Sequence, residues 1–335
     1  MKVLITGGAG FIGSHAVKLF LEQGHEVVVF DNFQRGWHQP MEVLDKLGKL
    51  TVVEGDLRDE QAVKALFDQH QMEVVLHFAA LCLVGESMEN PGLYFQNNVA
   101  GSVNLLMAMQ AHKVKQIIFS STSAVYNGFT APLPIAEVQT PDPLNPYGES
   151  KLMVEKIMQW MGKADPDFRF AILRYFNVCG SSSDGLIGDS KKPSQLLMQN
   201  AVRGAMGIEP FYYTYAPVDT PDGSPIRDYI DVEDLIEAHA AALAYLQNGG
   251  ASNIFNLGNG RGYSVKEIVE AVEKEFGCVL EKTAAAELRQ GENKAAYTDP
   301  SKAHDLLKWQ SKKSLQDSIA SLRQWYTTHP HGWDY

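Results

Sequence analysis

The segment Asn145 to Lys151, NPYGESK, places a tyrosine and a lysine four residues apart. On a helix, positions i and i+4 share a face, one turn apart. At their ordinary pKa values both side chains are protonated and idle near neutral pH. Pro143 and Pro146 lie just before the pair. A helix start with an incidental pair is the bland account. The chemical account makes Tyr147 a base, a role the rest of the chain has to support.

A second segment, TGGAGFIG from Thr6 to Gly13, spaces Gly7, Gly10 and Gly13 three apart. Gly7 can take a tight turn, Gly10 lets the backbone approach a pyrophosphate, and Gly13 allows close helix–strand packing. The phosphates would rest on a helix N-terminus, whose free N–H groups and dipole favour an anion. Asp31 ends the next apolar run, 18 residues after Gly13. A carboxylate there accepts hydrogen bonds from ribose hydroxyls and repels a 2′-phosphate, so the pattern favours NAD over NADP.

These segments need a scaffold, and the sequence supplies one. KVLIT, HEVVVFD, LTVVEGD, VVLHFAA, KQIIFSS and FRFAILRYFNV read as six strands. Helical patterns such as SHAVKLFLEQG, EQAVKALFDQH and NNVAGSVNLLMAMQAH lie between them. Strand–helix alternation of this kind builds an open, doubly wound parallel α/β sheet. Beyond Asn177 glycine, proline and polar residues crowd the chain, and short elements such as NIFNLG follow. We expect a nucleotide-binding domain over 1–176, with a return segment near 228–247. A smaller mixed α/β domain is expected over 177–335.

Composition narrows the function. The chain has 335 residues, 45% of them hydrophobic and 21% charged, and a formal net charge of -11. That balance argues against a nucleic-acid surface or an anionic membrane patch. Cys82, Cys179 and Cys278 are widely spaced, which suggests neither a zinc site nor a disulfide framework. His329 and His331 read as a solvated tail, and no metal is expected. With no signal-peptide layout at the N-terminus and no long apolar run, a cytoplasmic setting is expected.

The motifs TGGAGFIG, DN, EGDLRD, HFAA, NN, FSSTSAVY, YGESK and RYFN occur in this order. As a set, running nearly end to end, they resemble the extended short-chain dehydrogenase/reductase family. Within it, VGES, SPIRDYI and NLGNGRGYSV are similar to the UDP-glucose (UDP-galactose) 4-epimerases. The resemblance implies a Rossmann sheet, NAD as cofactor, a UDP-sugar as substrate, and inversion at C4′ through a transient 4-keto sugar. It makes Tyr147 the acid/base and gives Lys151 the nicotinamide ribose, its charge favouring the Tyr147 phenolate. Thr122 falls where the family bridges the sugar hydroxyl and the tyrosine. Besides the glycines, the implied cofactor contacts are Phe11, Ile12, Asp31, Asn32, Asp56, Leu57, Phe78, Ala79, Ala80, Asn97, Tyr147, Lys151 and Phe176. For UDP the resemblance points to Asn177, Gln195, Arg227 and Arg289. Two arginines would suit a pyrophosphate in an acidic protein.

The chain departs from the family pattern at several points. Cys82 stands where a lysine is usual near the cofactor. Thr214 and Tyr215 replace a Phe-Gly near the expected uracil position, and Gln195 an Asn or His. Counting from Arg289 without a gap puts Ala296 at the position that gates the sugar pocket beside C2′. An alanine there leaves room for an acetamido group, so UDP-GlcNAc and UDP-GalNAc are expected substrates as well. Related dehydratases place an Asp-Glu pair directly after the threonine, and related decarboxylases a glutamate at position 124. Here Ser123 and Ala124 follow Thr122, which disfavours both. The motifs leave room for a uronate or pentose 4-epimerase and, in a different class, for a silent NAD-sensing module. A homodimer through the helices at 97–112 and 147–162 is expected by resemblance.

Overall fold

Apolar runs of four to seven residues alternate with amphipathic helices through the first half of the chain. The computed structural model describes residues 1–190, 194, 196–211, 213–215, 217–284 and 294–333, with backbone alone at 213–215 and 282–284. In chain order come β1 (Lys2–Thr6), α1 (Phe11–Glu22), β2 (Glu26–Asp31), α2 (Gln39–Leu44), β3 (Leu50–Glu54), α3 (Glu60–Gln69) and β4 (Val74–His77). Next are α4 (Val84–Glu89), α5 (Pro91–Tyr94), a π-helical turn (Phe95–Ala100), α6 (Gly101–Ala111), β5 (Gln116–Thr122), α7 (Pro146–Ala164) and β6 (Arg169–Tyr175). The remainder holds β7 (Asn177–Cys179), α8 (Leu197–Ala205), β8 (Tyr213–Tyr215), β9 (Ile226–Asp231), α9 (Val232–Gln247) and β10 (Asn253–Leu257). It ends with β11 (Gly262–Ser264), α10 (Val265–Phe276), β12 (Lys282–Ala284), β13 (Ala295–Ala296), α11 (Ser301–Leu307) and α12 (Leu315–Thr328).

Seven strands form one sheet in the order β10-β6-β5-β4-β1-β2-β3. β1 pairs in parallel with β2 and β4, β2 with β3, and β4 with β5. The winding reverses beside β1, and ligands of such sheets bind outside the strand C-termini at the reversal. Strands covered on both faces must be apolar almost throughout. Accordingly Val3, Leu4 and Ile5 of β1 and Val74, Val75 and Leu76 of β4 are fully buried. One core layer packs Leu4, Val28, Val75 and Ile117 of the sheet against Leu105 and Met109 of α6 and Val154 and Met158 of α7.

The chain divides into two units, one of 1–126, 140–174 and 239–255, the other of 127–139, 175–238 and 256–335. In the second unit β9 is central, with β11, β13 and β7 on it, and β8 pairs with β12. Asp228 of β9 organises the loops around it. Its carboxylate accepts from the N–H groups of Asn259 at 2.8 Å, Gly260 at 3.1 Å and Thr298 at 3.1 Å. Burial nevertheless pushes this carboxyl up to about 6. Among the described residues no helix is long and apolar enough to cross a membrane.

The alternation of strands and helices gives the doubly wound sheet expected of it, with two differences. FRFAILRYFNV does not form one strand. It breaks at Phe176, because β7 leaves the large sheet to pair with β9, Asn177 opposite Tyr229. NIFNLG, grouped above with the short C-terminal elements, supplies β10 at the edge of the large sheet.

Candidate active site

The turn after β1 needs glycine for two different reasons. Gly7 has φ +72°, and a Cβ there would lie 2.6 Å from the backbone nitrogen of Ala79. At Gly13 a Cβ would lie 2.1 Å from the carbonyl oxygen of Gly7, so α1 can approach β1 only without a side chain. Gly10 differs. Its Cβ would meet nothing of the chain closer than the Gly7 oxygen at 3.4 Å. The fold itself leaves room for a methyl group there, whereas a phosphate lying against the turn does not. Gly10 is also the N-cap of α1, with no side-chain cap and no acidic residue in the first turn. The N–H groups around Phe11 and Ile12 thus present an uncapped, uncancelled helix dipole to an anion.

Asp31, at the end of β2, is buried and accepts from the N–H groups of Ala9 at 3.0 Å and Phe33 at 2.9 Å. Burial raises its pKa, against those bonds and the nearby His38. Beyond it Asn32 donates to Asp56 at 2.8 Å, and Arg58 grips the same carboxylate at 2.9 and 2.6 Å. The Arg58 guanidinium holds the Asp56 carboxyl well below the usual carboxylate range. Leu57 is buried, and its carbonyl accepts from Asn104 at 2.9 Å. Uncapped N–H groups, a bare glycine and a carboxylate at the next strand end fit a dinucleotide with a free ribose 2′-OH.

After β4, Phe78 donates its N–H to the Thr6 carbonyl at 3.0 Å, which sets Ala79 and Ala80 beside the glycine turn. The following segment is held by Asn98, the second residue of the NN motif and not among the expected contacts. Its side chain accepts from the N–H of Leu81 at 2.9 Å and donates to the Leu81 carbonyl at 2.9 Å and to Ser150 at 3.0 Å. Asn97, the expected contact, donates to the Asn98 oxygen at 3.0 Å. Both asparagines lie in the π-helical turn before α6. His77 bridges Thr6 at 2.7 Å and Ser102 at 2.8 Å, and burial drives its pKa down to about 3, so the ring is neutral.

α7 begins as its sequence dictates. Asn145 caps it by accepting from the Gly148 N–H at 2.8 Å, and Pro146 takes the first turn. Tyr147 sits in that turn, its ring 6.4 Å from the ring of Tyr94 in an edge-on arrangement. Tyr94 is itself fixed, its hydroxyl 2.8 Å from both the Leu83 carbonyl and Glu86. Lys151 is only 3% exposed, and its ammonium donates to the Ser120 carbonyl at 2.8 Å. Burial lowers the Lys151 pKa to about 8, with Cys82 and Glu155 pulling it back up. Two residues after Ser120, Thr122 ends β5, and its hydroxyl accepts from the Ala124 N–H at 3.1 Å. The structure thus sets Thr122 on the strand whose carbonyl holds Lys151, one turn of α7 from Tyr147. Cys82 is exposed.

In the second unit Arg227 and Ala296 are register partners in the parallel pair of β9 and β13. Arg227 also lies opposite Tyr263 of β11. Phe176, an expected cofactor contact, is buried in this unit and donates its N–H to the Leu257 carbonyl at 3.4 Å. Asn177 follows it as the first residue of β7. Gln195 and Arg289 lie outside the described residues. Thr214 and Tyr215 are placed by backbone alone, in β8 opposite Thr283 and Ala284.

Comparison with known proteins supplies the context for this geometry. Residues 3–258 match the model of the NAD dependent epimerase/dehydratase family. The UDP-glucose 4-epimerase of Lactobacillus helveticus is 40% identical over 336 residues, covering 100% of this chain and 99% of that protein. The crystal structure of UDP-glucose 4-epimerase from Bifidobacterium longum in complex with NAD+ and UDP superposes with a TM-score of 0.94 at 36% identity. It covers 99% of this chain and 100% of its own. The UDP-Glc/GlcNAc 4-epimerase of Campylobacter jejuni is also similar, with a TM-score of 0.84 at 39% identity, covering 98% of this chain and 99% of its own.

The buried lysine leaves a signature in stability. Its pKa is about 8 folded against an ordinary 10.5. Between those values the unfolded chain binds more protons, so stability on this account rises with pH. The cost of burying the charge is complete below pH 8 and absent above 10.5. Relative to Lys151→Met, the native protein should gain on the order of 3 kcal/mol across that window. Urea unfolding of both proteins between pH 7 and 10.5 measures it, and parallel curves would refute the assignment.

Proposed function

Because the chain belongs to the NAD dependent epimerase/dehydratase family, we propose that it is an isomerase that inverts C4′ of UDP-hexoses, interconverting UDP-glucose and UDP-galactose. The observation that carries this reading is the first turn of α7, with Tyr147 in the turn and Lys151 buried one turn on against the Ser120 carbonyl. The full-length similarity to UDP-glucose 4-epimerases supports the same reaction. When bound, NAD supplies a reversible hydride acceptor, so oxidation and re-reduction at C4′ leave no net redox change.

The chain's own residues do the rest. Tyr147 takes the proton from O4′ as the 4-keto sugar forms, and returns it as the alcohol is restored on the opposite face. The Thr122 hydroxyl orients O4′ toward it. Lys151, held by Ser120, keeps a positive charge near the phenolate and a donor for a ribose hydroxyl. The glycine turn and the α1 N-terminus take the pyrophosphate of the cofactor, and Asp31 takes the adenosine ribose. Asn32, Asp56 and Leu57 flank the adenine, while Phe78, Ala79, Ala80, Asn97 and Phe176 contribute the remaining cofactor contacts. Asn177, Gln195, Arg227 and Arg289 hold UDP, the arginines pairing with its phosphates. Ser123 and Ala124 provide no carboxyl group, so the eliminations of related dehydratases lack their acid and base.

Tyr147→Phe tests the role of the tyrosine. With UDP-galactose, kcat should fall by ~10²-fold or more, while the folded protein still retains NAD. Undiminished turnover would sink the assignment.

Ala296 lies beside Arg227 in register and presents only a methyl group. We therefore include UDP-GlcNAc and UDP-GalNAc among the substrates, as with the Campylobacter jejuni relative, whose name includes both Glc and GlcNAc. In Ala296→Tyr the kcat/KM ratio of N-acetylated to plain sugar should fall by ~10-fold or more. An unchanged ratio would remove Ala296 from the gate.

We also propose a homodimer through α6 and α7. These helices leave Met107 57%, Met153 37% and Trp160 68% exposed. Met153 and Trp160 are seven apart and share a face. An apolar stripe of this size is better covered than solvated. Cys82, Cys179 and Cys278 remain thiols, which suits a reducing cytoplasm. Sedimentation of the native protein at micromolar concentration should give a dimer, and Trp160→Glu should give a monomer. A native monomer would overturn the proposal.

A further inference from the structure

Beneath Tyr147 and Lys151 lies a buried ion pair to which the reaction gives no task. Glu155 is fully buried, and Arg174 of β6 is 3% exposed at its side chain. Arg174 Nε donates to Glu155 Oε1 at 2.9 Å, and a terminal nitrogen of the same guanidinium donates to Oε2 at 2.5 Å. The Ser121 hydroxyl donates to Glu155 Oε1 at 2.5 Å. The other terminal nitrogen of Arg174 donates to the Tyr126 hydroxyl at 2.7 Å. Stability alone does not account for such a pair, because well-packed apolar residues of similar volume usually serve as well or better.

Its geometry suggests another purpose. Gly148, Lys151 and Glu155 fall at i, i+3 and i+7, one face of α7. That face engages β5 and the turn after it at three points. A Cβ at Gly148 would lie 2.2 Å from the Ala124 carbonyl oxygen, Lys151 donates to the Ser120 carbonyl, and Glu155 accepts from Ser121. Arg174 closes the arrangement from β6 and, through Tyr126, holds the chain just past Thr122. The two residues expected to move the sugar proton flank the first of these contacts, Tyr147 just before Gly148 and Thr122 two residues before Ala124.

We propose that Glu155 and Arg174 are positioning residues for the epimerisation, fixing the register of α7 on β5 so that Tyr147 and Thr122 meet the same sugar hydroxyl. The inference rests on Tyr147 being the acid/base. Glu155 has a second, electrostatic effect, because its charge favours the charged form of Lys151. The groups facing Lys151 are Glu155 from α7, the Ser120 carbonyl and Phe119 ring from β5, Cys82 from the segment after β4, and His77 from β4, with Tyr147 one turn before it on α7. Of these, Glu155 is buried and paired with Arg174, His77 is neutral, and Cys82 is exposed.

The test uses the native holoenzyme and three variants. Glu155→Gln keeps the volume and an oxygen for Ser121 but removes the charge. Its kcat should fall about 10²-fold, with KM for UDP-galactose within about threefold, since the loss is one of positioning and not of binding. Its alkaline activity limb should move to lower pH, together with the Lys151 titration read by NMR of lysine-labelled protein. Glu155→Leu/Arg174→Met should fold with a near-native Tm and remain about 10²-fold slow. A double variant with native Tm, kcat and pH limb would overturn the proposal and leave the pair a purely structural brace. If the ion-pair variants fold poorly, Ser121→Ala, which removes only the hydroxyl bridge, should cost about tenfold in kcat, and native behaviour there would overturn it equally. Tyr147→Phe in the same assay separates the two ideas. Full activity in that variant defeats the acid/base reading, whereas an inactive Tyr147→Phe beside native-like Glu155→Gln defeats only the positioning role.

Discussion

The first unit is arranged around the burial of one ammonium group. Removing the Lys151 charge from water is costly, and burial pulls its pKa down to about 8 even with Cys82 and Glu155 pulling it back up. The neighbours that compensate are few and specific. The Ser120 carbonyl accepts its hydrogen bond, the Phe119 ring lies 4.8 Å away, and the Glu155 carboxylate sits one turn further along α7. Apart from Cys82, which follows β4, the groups around the charge come from β5 or α7, so keeping the cation requires those two elements to stay in register. The requirement that holds the charge is therefore also the one that places Tyr147 relative to Thr122.

The second unit solves a comparable problem with carboxylates. Asp228 and Asp231 of β9 are both buried, and burial pushes each up to about 6. Asp228 gathers three backbone N–H groups from the 259–260 turn and from Thr298. Asp231 accepts from Ser318 of α12 at 2.6 Å and from the Glu233 N–H at 2.9 Å. These bonds tie β9 to the 259–260 turn, to the chain just after β13 and to α12. The strand that presents Arg227 is thereby fixed at both ends by groups whose unpaired burial would be destabilising.

Much of this is legible in the sequence because it is local. The glycine turn, the apolar runs of β1 to β5, the Asn145 cap and the Tyr147–Lys151 spacing are each written in a few consecutive residues. What escapes is non-local. FRFAILRYFNV is rich in apolar and aromatic residues along its length, and only the pairing of β7 with β9, some 50 residues on, splits it. Nothing within NIFNLG says which sheet β10 joins. Asn98 lies in the NN motif, but its bracing role shows only once its partners at Leu81 and Ser150 are seen. Nothing in the sequence links Glu155 to Arg174, although Arg174 opens the RYFN motif, and only the structure shows them to be a buried pair. Asn32, Asp56, Asn177 and Arg227 emerge through family resemblance, since no spacing rule singles them out.

The wide turn at Phe95–Ala100 carries a consequence of its own. A single extra residue in a helix rotates everything after it by about 100° relative to everything before. Here that offset separates the face of α5 that carries Tyr94 from the face of α6 that carries Leu105 and Met109 into the core. With the asparagine pair at the point of rotation, the helix works as a phase shifter. One continuous rod serves two angular frames, the frame of the tyrosine that faces Tyr147 and the frame of the packed interior. Losing one residue from this turn would leave every side chain in place along the sequence yet bring the two frames out of phase.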